Sequence, residues 1–149
     1  MKKLFLIPML LCLFMINVAS TCSSDDSGSG DSPSTSTVTQ NTTTSGNWRV
    51  TLFNEDGVVH TSYFSGYDFT MSTGGVITAI NGSTTKTGTW NTYTDSGYTK
   101  FDIAFSDTDG PFEEISEDWK VLSSSTTKLE LKHVSGGDGS IDLLTFEKN

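Results

Sequence analysis

Phe101-Asp102-Ile103-Ala104-Phe105 is the stretch that decides the class of fold. Phe101, Ile103 and Phe105 stand two apart, so an extended backbone projects all three to one face, whereas a 3.6-residue period would scatter them around a helix. The stretch reads as a strand with one apolar side. The same period recurs outward in both directions in short runs separated by turn residues. Toward the N-terminus, Gly88 and Trp90 precede Asp95-Ser96-Gly97, and Val76, Thr78 and Ile80 lead into Asn81-Gly82, a strong hairpin signal. Tyr67, Phe69 and Met71 alternate up to Ser72-Thr73-Gly74-Gly75, and Trp48, Val50 and Leu52 share a face up to Asn54-Glu55-Asp56-Gly57. Toward the C-terminus come Trp119 with Val121, Leu129 with Leu131, and a run over 141–146 that follows Ser135-Gly136-Gly137-Asp138-Gly139. Only residues 111–116 suit a helical turn. Eight strands joined by regular turns predict an all-β, up-and-down antiparallel barrel, closed or half-open, since closure removes the edges an open sheet must protect.

That domain occupies residues 46–149, enough chain for one core and too little for two. Before it, residues 22–45 are almost wholly Ser, Thr, Asp, Gly, Asn and Gln, with Val38 the lone aliphatic. Such a composition cannot bury enough apolar area to order itself and reads as a disordered linker of about 25 Å mean span.

Residues 1–21 read as an export signal: Lys2-Lys3, an apolar run over 4–16, then Ala19-Ser20-Thr21-Cys22. At about 1.5 Å per residue the run makes a helix of about 20 Å, short of the hydrocarbon core of a bilayer. The small residues before Cys22 resemble the processing site at which bacterial lipoproteins are acylated. Ala19 and Thr21 depart from the commonest residues there, and ordinary cleavage after Ser20 is the alternative. Acylation of Cys22 would supply more than one buried chain and so a stable anchor. Cys12 falls in the signal and Cys22 takes the lipid, which leaves no disulfide. Ser23-Ser24-Asp25-Asp26 resembles the acidic tag that sends some Gram-negative lipoproteins to the cell surface; the plain reading is the start of a solvated linker. The expected location is the outer membrane, lipid-anchored and surface-exposed, or the periplasm or medium if cleavage follows Ser20.

Taken together, Gly46-Asn47-Trp48 at the first strand, Gly88-Thr89-Trp90 at a middle one, Glu117-Asp118-Trp119 before the sixth and Leu144-Thr145-Phe146-Glu147-Lys148 near the end resemble the small lipocalin-like domains of bacterial lipoproteins. The resemblance covers residues 46–149. It implies an eight-stranded barrel with a tryptophan near its closed end, Trp48 here, and it implies no reaction. The chain lacks the disulfide of many extracellular lipocalins, and its strands are short, so any cavity is expected to be small or filled.

The aromatic residues Trp48, Phe69, Trp90, Phe101, Phe105, Trp119 and Phe146 have two readings, the lining of an apolar pocket or the core of a small domain that needs its large side chains to fold. His60 and His133 have no spacing that pairs them with a nucleophile or with metal ligands, and read as surface residues. Ser83-Thr84-Thr85-Lys86 and Ser125-Thr126-Thr127-Lys128 match Ser-x-x-Lys only by chance, since they lie at turns rather than opening a helix. Asp107-Thr108-Asp109-Gly110 with Glu113 and Glu114, and Gly137-Asp138-Gly139, lack the ligand order of a calcium loop and read as solvated acidic loops. Nine basic against eighteen acidic residues give a formal charge of −9, more negative once Lys2 and Lys3 are removed, which excludes nucleic acid as a partner.

The resulting expectation is a non-enzymatic envelope lipoprotein without cofactor or metal. Its barrel would act as a binding or accessory module for a small apolar ligand, or, if packed solid, as an interaction domain for an envelope protein. A hydrolase would require a His60 or His133 cluster with a serine and a carboxylate.

Overall fold

The computed structural model describes residues 40–149; the signal segment, Cys22 and the linker up to residue 39 lie outside the described residues. The strands are β1 (Trp48–Glu55), β2 (Val58–Val59), β3 (Asp68–Met71), β4 (Val76–Asn81), β5 (Thr84–Asp95), β6 (Tyr98–Phe105), β7 (Asp118–Ser124), β8 (Lys128–Val134) and β9 (Ile141–Lys148). Each of β3 to β8 pairs antiparallel with the next, β1 pairs with β3, and β9 returns to pair with β1. The result is a closed eight-stranded up-and-down barrel. The closing seam runs from Trp48↔Lys148 to Asn54↔Leu143, while β1 meets β3 at the single pair Trp48↔Phe69.

The sequence does not mark β2 as a strand. Asp56 (φ 45°) and Gly57 (φ 85°) both take left-handed conformations, the requirement of a two-residue type I′ turn, so Asn54-Glu55-Asp56-Gly57 does not merely end β1 but folds Val58 and Val59 back on it. Past β2, a 3₁₀ turn (Thr61–Phe64) buries Phe64. Between β6 and β7, α1 (Pro111–Glu114) buries Phe112 in the expected helical turn.

Two face assignments change. The β1–β9 register shifts between Val50 and Leu52, so Thr51 is an extra residue and the phase of the strand inverts. Trp48 and Val50 point inward as expected, but the next core residue is Phe53, and Leu52 is only half-buried. On β4 the core face is Ile77 and Ala79, not Val76 and Ile80, which are 42% and 44% exposed. Pairing decides this, because Ile77 lies opposite Met71 and Ala79 opposite Phe69, both inward. A one-residue change of phase moves every side chain of a strand to the other face.

Each tryptophan fastens its strand to a connecting segment by an indole N–H. Trp48 donates to the Thr43 carbonyl, Trp90 to the Ser72 carbonyl and Trp119 to the Ile115 carbonyl, each at 3.0 Å. A buried indole N–H needs such a partner, and here the partner is always main chain. For Trp48 the partner lies in residues 40–45, which composition assigns to the linker; 40–43 are helical, and Thr43 is buried against the barrel.

Gly88 explains the Gly-x-Trp pattern on β5. A Cβ there would stand 2.3 Å from the Ala104 carbonyl oxygen and 2.7 Å from the Phe105 Cα, so the backbones of β5 and β6 meet where no side chain fits. The Gly88→Ala protein should lose about 1–3 kcal/mol, the usual cost of overpacking. Thermal unfolding followed by circular dichroism should then show a Tm lower by about 4–8 °C for each kcal/mol. An unchanged Tm would mean that β5 and β6 are not this close.

Candidate functional site

The seven aromatics singled out in the sequence converge inside the barrel. Trp48, Phe69, Phe101, Trp119 and Phe146 have no exposed area, and Trp90 and Phe105 almost none. Phe69 packs edge-on against Phe146 (5.3 Å between centroids) and Phe105 (6.4 Å), and Trp90 stacks on Phe101 (5.4 Å). Phe112 from α1 enters this group, 4.8 Å from Phe105 and 5.5 Å from Phe64. Of the two readings of these residues, the packing gives core.

Hollows on the described residues lie elsewhere, among them three that no core residue lines. One, of about 310 Å³, is an acidic basin at the barrel end where the β1–β2 turn, α1 and the β8–β9 loop meet. Alternating hairpins place those connections at the same end, so carboxylates remote in sequence become neighbours: Glu55 and Asp56, Glu113 and Glu114, Glu117, Asp138 and Asp142. The acidic loops therefore do not stay separate. Glu113, Glu114 and Asp138 share the basin, while Asp107 turns away to pair with Lys86.

The crowding has an electrostatic signature. A hydrogen bond between the Glu114 and Glu55 carboxyls holds Glu114 above the ordinary carboxylate range, with partial burial and the charge of Glu55 adding to the effect and His60 opposing it. Asp138 is held low by the Ser140 backbone N–H, which donates to its Oδ1 at 3.0 Å.

His133 stands at the edge of the basin, its ring 5.9 Å from that of Trp119. Its Nε2 lies 3.7 Å from Glu117 Oε2 and 4.0 Å from Asp118 Oδ1, and its Nδ1 lies 3.6 Å from Asp142 Oδ2. Glu117, Asp118 and His133 offer ligand atoms within 4.8 Å of one another. Chelation at about 2.0–2.2 Å per bond would require all three to draw inward. The sequence contains no spacing that signals this group, because it joins the start of β7 to the end of β8 through barrel pairing. His60 instead stacks on Tyr63 at 4.9 Å, with its Nε2 3.8 Å from Glu55.

A second hollow, about 240 Å³, lies on the outer wall among Tyr98, Lys100, Asp118, Lys120, Lys132, His133 and Val134. In so acidic a chain it gathers three of the nine basic residues.

The Glu114 proton gives a test of the basin. A carboxyl whose folded pKa is raised contributes stability while protonated and loses it as the pH climbs from the ordinary carboxylate range through the raised value. The Glu114→Gln protein should therefore melt higher than the parent near pH 7, by about 2 °C for an exposed like-charge contact. The two curves should converge near pH 3. A difference independent of pH would rule out the Glu55–Glu114 contact as its source.

No family model matches the chain, and no curated protein matches it. Among solved structures, a DUF4847 family protein from Bacteroides vulgatus ATCC 8482 is similar, with a TM-score of 0.50 at 17% sequence identity, over 74% of this chain and 96% of that one. At that identity the likeness is one of fold.

Proposed function

We propose that the protein is a non-enzymatic module of the bacterial cell envelope, tethered through lipid on Cys22, whose lipocalin-like barrel works through its rim and outer wall. One observation carries the choice of surface over interior: the inward side chains fill the barrel with mutually contacting aromatics. An eight-stranded barrel is just wide enough for side chains to occupy it or for one small ligand. Here a guest would have to displace the rings that hold the domain together. The packed-barrel alternative, an interaction or assembly domain at the outer membrane, therefore takes precedence over a carrier of a small apolar ligand.

The tether rests on the order of charge, apolar run and small residues before Cys22, and surface display on Ser23-Ser24-Asp25-Asp26. At the histidines, His60 stacks on Tyr63 beside Glu55, and His133 lies among Glu117, Asp118 and Asp142.

Two measurements test the reading. Expressed in a Gram-negative host, the parent chain should incorporate labelled palmitate and sediment with membranes, and the Cys22→Ser chain should do neither; an unlabelled parent would remove the tether. Titrated with the apolar fluorophore N-phenyl-1-naphthylamine, the protein should show no saturable quenching of its buried tryptophans, and saturable micromolar quenching would reinstate an interior site.

A further inference from the structure

Lys100, Lys120 and Lys132 stand directly opposite one another on β6, β7 and β8. Their chain neighbours Phe101, Trp119 and Leu131 are buried, so alternation sends all three lysines to the outer wall. With strands about 4.8 Å apart, the row spans about 10 Å. Like charges placed directly across strands destabilise a sheet, and a chain with twice as many acidic as basic residues has no shortage of alternatives.

Little within the protein neutralises the row. The Lys100 Nζ donates to Asp118 Oδ2 at 3.0 Å, the one ion pair of the three lysines among the described residues. The Lys120 Nζ rests over the Tyr98 ring, 3.3 Å from its centroid, a weaker contact than a charge-assisted hydrogen bond to an oxyanion. One carboxylate thus faces three ammonium groups.

The wall is also hollow here. β6 and β7 pair at only three positions, Asp102↔Asp118, Phe101↔Trp119 and Lys100↔Lys120. Past Lys100 the ladder stops, while β7 continues along β8 through a register shift between Val121 and Ser123. The hollow of about 240 Å³ lies over the row, with the half-exposed Tyr98 and Val134 as its apolar walls.

We propose that this hollow binds a small sugar carrying two phosphoryl groups, free or as the headgroup of an envelope glycolipid. Lysines engage phosphoryl groups as point charges, and the strand spacing sets the separation of those groups at about 5–10 Å. Tyr98 and Val134 take the body of the ring. A divalent cation on Glu117, Asp118 and His133 fits less well, because Asp118 already serves Lys100 and the row would repel the ion. The inference stands independently of the membrane tether.

The test uses the full chain with Cys22→Ser, so that no lipid competes, and glucose 1,6-bisphosphate as probe in calorimetry. Lys120→Gln and Lys132→Gln should each weaken binding about tenfold, and Lys128→Gln, whose lysine pairs with Glu130 away from the row, should not. Inorganic phosphate should bind about tenfold more weakly than the bisphosphate. Without ligand, Lys120→Gln should melt no lower than the parent, since it relieves repulsion, which separates lost binding from lost fold. Sedimentation with vesicles of phosphatidylglycerol and a phosphorylated glycolipid distinguishes the source: row-dependent capture points to a headgroup, and bisphosphate binding without capture to a free sugar phosphate. Absence of both, equal weakening by Lys128→Gln, or equal affinity for inorganic phosphate overturns the proposal. None of these outcomes bears on the filled interior, which the tryptophan titration reads separately.

Discussion

The antiparallel pairing of β1 with β9 is the constraint on which the rest of the structure depends. Without it the sheet would leave two edges of unpaired main chain and would hold its apolar face only partly against itself. With it, the inward residues of eight strands meet across a short distance, and rings from strands that do not pair come into contact, Phe69 of β3 with Phe105 of β6 and with Phe146 of β9. The seam is secured at its outer end by the chain itself: the Asn149 N–H donates to the Asn47 carbonyl, and Lys148 reaches the Ser45 hydroxyl and lies over the Trp48 ring. Those contacts draw residues 40–45 onto the barrel and give the Trp48 indole its hydrogen-bond acceptor.

Closure with so small a circumference has a consequence for function. Large side chains are needed to hold a domain of about a hundred residues without a disulfide, and here they pack against one another inside the barrel. On the exterior, charges segregate. Connections at one end pool their carboxylates into a basin in which Glu114 is held above the ordinary carboxylate range, while β6, β7 and β8 carry a row of lysines. The acidic end and the basic row abut at His133 and Asp118, which border on both or link them.

Legibility differed by the range of the information. The eight strands of the barrel, the turn positions and the helical turn near Pro111 were readable because each depends on a few consecutive residues: a period of two, or a Gly or Asp in a conformation other residues avoid. The bulge at Thr51 and the inward face of β4 were not, since both are settled by what the partner strand presents. Val76, Thr78 and Ile80 alternate as well as Ile77 and Ala79 do, and only the pairing with β3 chooses between them. Phe64 and Phe112 escaped notice for a related reason, as each lies in a short helical segment with no period and enters the core because a barrel mouth stands above it.

By itself the sequence determined an all-β barrel of eight main strands and a set of aromatics destined for core or pocket, because composition and short-range periodicity carry that information. Tertiary structure alone decided that the aromatics fill the interior, that acidic loops far apart in the chain share one rim, and that three lysines on successive strands align. Register is the physical reason. It is a property of pairs of strands, fixed by the complete set of cross-strand contacts and the closure of the sheet, and no single segment encodes it.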